Sequence, residues 1–159
     1  FENFLQQHTL GHTHEQMSSV VFVIFGQLVE RFPTLKIAFL EGMCGWVPML
    51  AERMDEEFEF RAHEAPLLKK DPSEYFKEGR LFFGTEPDEW TIPHVISFLG
   101  TDRTLIYASD YPHWDSDFPH TTSKLADRTD LTDENKRNIL GDNATRLYPA
   151  LARVPAGAR

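Results

Sequence analysis

Two apolar runs in this sequence end in a carboxylate: KIAFLE closes on Glu41 and LIYASD closes on Asp110. Read as strands, they put Glu41 in phase with Ile37 and Phe39, and Asp110 in phase with Ile106 and Ala108, so each acid shares a face with apolar positions. A carboxylate in that setting is costly unless a metal, a cation or several donors meet it. Asp110 is therefore a candidate metal ligand or proton-transfer group. A plainer role is also open to it, as an acceptor for the backbone N–H groups of the turn containing Tyr111 and Pro112. Glu41 carries a similar choice between proton transfer in a polar pocket and a salt bridge to Arg53 or Arg80.

The histidines form a second group. HTLGHTHEQM sets His8 and His12 four apart, on one face if the segment is helical, with His14 pointing elsewhere. Imidazoles so spaced can share a metal, but the Thr and Gly content favours a polar loop, and there is no HExxH. His113 and Trp114 follow Asp110 closely and either wall a pocket or pack over the sheet. The lone Cys44 excludes an internal disulfide, reads as a small buried filler, and suits a reducing cytoplasm.

The elements that position these residues follow from periodicity. Met17, Val20, Val21, Ile24 and Leu28 mark a largely buried helix over Glu15 to Arg31, and the strand ending at Glu41 comes next. After GMCGW, residues Val47, Leu50, Ala51, Met54 and Phe58 make one face of a helix whose other side is an acidic, solvated run. Asp71 as N-cap and Pro72 at the first position open a short helix before the strand RLFFGT. A helix starting near Thr91 and stopping at Gly100 precedes the strand TLIYASD. Helices are expected at Thr122 to Ala126, Thr132 to Leu140 and Asn143 to Tyr148, with Gly141 separating the last two and a disordered tail over 151–159. Strands apolar on both faces, alternating with helices, define an α/β protein with a parallel sheet, whose chemistry sits at the carboxyl ends of the strands.

Composition narrows the function. The net charge of -9 opposes a phosphate backbone and no basic stripe is interleaved with aromatics, which excludes nucleic acid as a partner. The most apolar run, VVFVIF, falls far short of the roughly eighteen residues of a membrane span. The chain opens on Phe1, and FENFLQQHTLGH has neither the basic start nor the apolar middle of a signal peptide, so the interior of a longer chain is expected.

The segments RFPTLKIAFLEGMCGWVPMLAERMDE, LIYASDYPHWD and NKRNILGDNATRLY, in this order and spacing, resemble the amidohydrolase-related family of metal-dependent hydrolases and decarboxylases. The resemblance runs from about His8 to Tyr148. It implies part of a (β/α)8 TIM-type barrel, with KIAFLE, RLFFGT and the strand ending at Asp110 as the last three strands, and residues 1–150 as the C-terminal portion of the barrel. A whole barrel needs about 250 residues. The family's remaining metal-binding histidines would then lie before Phe1. The resemblance further implies one divalent metal ion, usually zinc, with Asp110 as its ligand and as the proton-handling group. Glu41 departs from the pattern, because several of the family's decarboxylases carry a catalytic His there.

These readings make Asp110, Glu41 and His12 the candidate catalytic residues, and His8, Trp46, His113 and Trp114 the candidate substrate contacts. The expected activity is metal-dependent hydrolysis of a small molecule, such as a carboxylic acid or a cyclic amide or ester, with the metal activating water or substrate. Non-oxidative decarboxylation by the same apparatus is the alternative. A third reading is a non-catalytic fragment that associates through unpaired barrel edges, as a homo-oligomer or with a missing N-terminal half.

Overall fold

The computed structural model describes residues 2–116 and 118–153. Helix α1 spans Phe4–Phe25, α2 Leu28–Arg31, α3 Val47–Arg61, α4 Pro72–Lys77, α5 Ile92–Leu99, α6 Thr121–Ala126, α7 Asp133–Arg137 and α8 Asn143–Leu147. Strands β1 (Ile37–Phe39), β2 (Leu81–Thr85) and β3 (Leu105–Tyr107) form one sheet in the order β1-β2-β3. Both pairings are parallel, with Phe39 opposite Phe83 and Phe83 opposite Leu105. The expected α/β architecture with a parallel sheet is what the chain adopts.

The core lies between sheet and helices. Phe83 stacks between Phe39 and Phe76, with ring centroids 5.8 and 5.9 Å away, and meets the edge of Trp46 at 5.8 Å. Val20 and Ile24 of α1, Val47 and Ala51 of α3, Val95 of α5 and Ile139 complete it. Cys44 is fully buried, as its size suggested, and burial pushes its thiol well above the ordinary range, so it is inert as a nucleophile. The acidic side of α3 faces water, where Arg53 pairs with Glu56 at 2.6 Å and with Glu57.

Three local expectations need correction. The histidine segment is helix, not loop. The Asn3 side chain caps α1 by accepting from the Gln6 N–H at 3.0 Å, and the helix then runs without a break into its buried half, which overrides the weak propensities of Thr9, Gly11 and Thr13. That same helix stops short of Arg31. At Gly26 a Cβ would lie 2.2 Å from the Phe22 carbonyl, and Gln27 turns into the left-handed region (φ 62°) while its side chain accepts from the Leu67 N–H at 2.7 Å. Asp71 does stand at the N-cap of α4 with Pro72 at its start, as expected; the Ser73 N–H there donates to Asp55 of α3 at 2.7 Å. Gly141 does not separate the last helices, because a π-turn over Asn138–Asp142 joins α7 to α8.

That π-turn is anchored on both sides. Asn138 donates to the Asp102 carboxylate at 3.0 Å, and the fully buried Asn143 donates to the Asp102 and Leu105 carbonyls at 2.7 and 2.8 Å. The C-terminal helices are thereby tied to the base of β3. Pro149–Arg153 form a short 3₁₀ turn, and residues 154–159 of the expected tail lie outside the described residues. No helix among the described residues is long and apolar enough to cross a membrane.

Candidate active site

All three strands end at one cavity of about 350 Å³. Glu41 reaches it from the loop after β1, Glu86 from the loop after β2 and Asp110 from the loop after β3, while α1 contributes His8 and His12. His113 and Asp115 close the remaining side.

The strand-end acids arrive there by a different route from the one their spacing suggested. The strands stop at Phe39 and Tyr107, and both Glu41 (φ 62°) and Asp110 (φ 54°) sit in the left-handed region. Turning there takes each acid out of the strand's alternation, so neither faces the sheet interior: 65% of the Glu41 side chain and 45% of the Asp110 side chain are accessible. The salt bridges considered for Glu41 do not form, since Arg53 pairs on α3 and Arg80 pairs with Glu78. Glu41 instead lies 4.0 Å from His12 Nδ1. A non-glycine residue at positive φ carries strain, and three of them, Glu41, Met43 (φ 57°) and Asp110, line this one cavity, the kind of cost found at functional sites.

The loop after β3 folds back on itself. The His113 N–H donates to the Asp110 carbonyl at 2.8 Å, and Ser116 Oγ donates to the Ser109 carbonyl at 2.7 Å. His113 Nδ1 meets the Asp115 carboxylate and lies 3.4 Å from Asp110 Oδ2. The hydrogen bond to Asp115, supplemented by the charges of Asp115, Asp110 and Glu41, holds the imidazolium of His113 above its usual range, and the same bond pulls the Asp115 carboxyl below its own. His8 Nε2 stands 3.8 Å from Asp115, and its ring lies 5.5 Å from that of His12 and 5.8 Å from Trp114. The four-residue spacing therefore does bring His8 and His12 to one face, toward the cavity.

Not every anticipated residue lines the cavity. Trp114 sits exposed at its rim. Trp46 is buried under the loop after β1, its indole N–H donating to the Gly42 and Met43 carbonyls at 2.9 and 3.0 Å. Conversely, Glu86 lines the cavity without standing among the expected site residues, and its one signal in the sequence is that RLFFGTE runs into an acid as the other two apolar runs do. Burial first, then the charges of Glu89 and Asp110, raises its carboxyl above the normal range.

The donor set is carboxylate and imidazole, which suits a divalent cation such as zinc or manganese. One ligand atom each from Asp110, His113 and Asp115 can be chosen so that all lie within 4.8 Å of one another.

The amidohydrolase family matches residues 4–150, and the chain belongs to that family. Among solved structures, an amidohydrolase from Mycobacterium avium subsp. paratuberculosis K-10 matches 99% of this chain and 37% of its own, with TM-score 0.77 and 20% identity. The 5-carboxyvanillate decarboxylase of Sphingomonas paucimobilis matches 83% of this chain and 39% of its own, at TM-score 0.68 and 26% identity. A dihydroxybenzoic acid decarboxylase from Polaromonas sp. JS666, solved with manganese and the inhibitor 2-nitroresorcinol, matches 89% and 42%, at TM-score 0.71 and 20% identity. A comparison with curated proteins finds no match. The chain thus spans about two fifths of these structures, and its three-stranded sheet is part of an α/β barrel.

Proposed function

We propose that this chain supplies the metal-facing C-terminal part of a metal-dependent hydrolase acting on a small molecule. The observation that carries this reading is the convergence of Glu41, Glu86 and Asp110, one from each strand end, with His8 and His12 on a single cavity. Asp110 would hold a divalent cation, zinc or manganese, on the side it shares with His113 and Asp115. When bound, such a cation lowers the pKa of water or polarises a carbonyl or carboxylate.

The chain's own residues handle the protons. Asp110 takes one up or delivers it at its free carboxylate oxygen. Glu86 keeps its proton to higher pH than an ordinary glutamate and is a second acid beside it. Glu41 and His12 form a pair on the opposite wall, and His8, His113 and Trp114 bound the space a substrate would fill. Trp46 supports the wall from beneath.

A second reading is non-oxidative decarboxylation, favoured by the 26% identity to 5-carboxyvanillate decarboxylase. It uses the same residues and differs in delivering the proton to carbon. The outer edges of β1 and β3 have no strand partner among the described residues, and the rest of the barrel or a second copy would cover them. The test is to assay both reaction classes on the metal-loaded, full-length protein and on its Asp110→Asn variant. A loss of at least ~100-fold is expected on substitution; undiminished turnover removes Asp110 from the chemistry.

A further inference from the structure

Glu89 does not line the cavity, yet it touches the loops that do. It is 2% exposed, and its carboxylate is met by donors from two separate loops. Oε1 accepts from the Gly45 N–H at 2.7 Å, the Cys44 N–H at 2.9 Å and Thr91 Oγ1 at 2.6 Å. Oε2 accepts from the Cys44 N–H at 3.2 Å and the Glu86 N–H at 3.4 Å. The first loop, after β1, carries Glu41; the second, after β2, carries Glu86.

A carboxylate is costly to bury and persists where fixed donors replace its water. Here those donors are mostly backbone groups, so the charge constrains chain paths rather than side chains. The guanidinium of Arg128 donates to the Glu89 carbonyl at 2.6 Å and pairs with Asp130. The two loops also touch directly: a Cβ at Gly45 would fall 2.6 Å from Thr91 Oγ1, so a larger residue there would have to displace Thr91. The same turn seats the histidine helix. Thr13 Oγ1 donates to the Gly42 carbonyl at 3.3 Å, and a Cβ at Gly42 would come within 2.6 Å of Gln16 Cγ.

We propose that Glu89 is a positioning residue: its buried carboxylate clamps the loops after β1 and β2 together and so sets where Glu41, Glu86 and, through Gly42, His8 and His12 stand around the cavity. The proposal rests on the reading of that cavity as a divalent-metal site, and its test separates the two. Residue-resolved amide exchange and binding of Mn²⁺ alone, followed by its electron spin resonance signal, are measured on the full chain and on Glu89→Ala and Glu89→Gln.

In Glu89→Ala, the Cys44 and Gly45 amides should exchange at least ~10-fold faster, since a charge-assisted acceptor is lost. The Phe83 amide, bonded to the Thr104 carbonyl at 2.9 Å in the sheet, should be unchanged. The Mn²⁺ affinity should fall ~10-fold or more, the usual effect of losing an outer support of a metal site. Glu89→Gln keeps an oxygen for Cys44, Gly45 and Thr91 but presents an amide to Glu86, so only the Glu86 amide should lose protection, with a smaller drop in affinity.

Unchanged exchange at Cys44 and Gly45 in Glu89→Ala overturns the clamp. Faster exchange there with parental Mn²⁺ affinity overturns the positioning role, because a purely structural glutamate would behave so. If Glu89→Ala also frees Phe83, Glu89→Gln decides, and a protected Glu86 amide with parental affinity refutes the proposal. A parent chain that binds no Mn²⁺ sinks the metal reading and leaves the exchange data to judge the clamp.

Discussion

Glu41→Gly should stabilise this chain while damaging its site. Glu41 holds φ 62° with an exposed side chain, and His12 Nδ1 lies 4.0 Å from its carboxylate. Left-handed backbone costs an ordinary L-residue ~1–2 kcal/mol, which glycine does not pay. Against this, glycine gives the unfolded chain extra freedom worth ~0.5–1 kcal/mol. The long, solvent-screened approach to His12 contributes little. The net expectation is a gain of about 0.5–1 kcal/mol, read as a higher urea midpoint at unchanged slope. Glu41→Ala separates the causes, because it removes the same carboxylate but keeps the Cβ and therefore the strain; it should be neutral or slightly destabilising. Asp110→Gly should gain less than Glu41→Gly, since Asp tolerates the left-handed region better than Glu. If Glu41→Ala raises the midpoint as much as Glu41→Gly, the effect is electrostatic and the strain reasoning is wrong. If Glu41→Gly lowers it, Glu41 is held by contacts stronger than those described.

Asn143→Ala strips two buried carbonyls of their donor and should cost ~2–4 kcal/mol in a urea titration; a loss below ~1 kcal/mol would mean that water replaces the amide. Glu30 is hydrogen-bonded by Lys69 (2.7 Å) and by the Tyr75 hydroxyl (2.6 Å), which hold its carboxyl below the ordinary range. Its stabilisation is therefore complete above the unfolded-chain value and is lost as pH falls through the lower folded value, so Glu30→Gln should flatten the acid limb of stability against pH. Burial, and then the bond to Glu30, pushes Tyr75 up to about 12. An ultraviolet titration of the four tyrosines should show one ionising late, and the stability it lends should disappear as pH rises from its unfolded value through about 12.

The parallel α/β order was legible because its strands are apolar on both faces, and Asp110 and Glu41 were legible as strand-end acids. What periodicity could not supply was the way they leave the strand. Non-glycine residues at positive φ carry no local signal, so Glu41 and Asp110 were assigned the alternation of strands that in fact end before them. The histidine helix was illegible for a related reason: its helicity comes from a cap at Asn3 and from continuity with buried Val20 and Ile24, neither visible in the composition of HTLGHTH. Glu89 was unreadable because its partners Cys44 and Gly45 lie more than forty residues away in the chain.

The charge balance of the cavity ties these features together. Glu41, Glu86, Asp110 and Asp115 line it with three histidines, and no lysine or arginine does so among the described residues. Burial, with the repulsion of Glu89, Asp110 and Asp115, raises the Glu86 carboxyl above its usual range, and the attraction of Asp115, Asp110 and Glu41 does the same for the imidazolium of His113. A fold selected only for stability would relieve both this repulsion and the strain at Glu41 and Asp110. Both costs persist at the same place, where a buried carboxylate, Glu89, braces two of the loops that bear them. On the function proposed above, a divalent cation would turn that repulsion into attraction, at the carboxyl ends of the parallel strands, where the sites of such folds form.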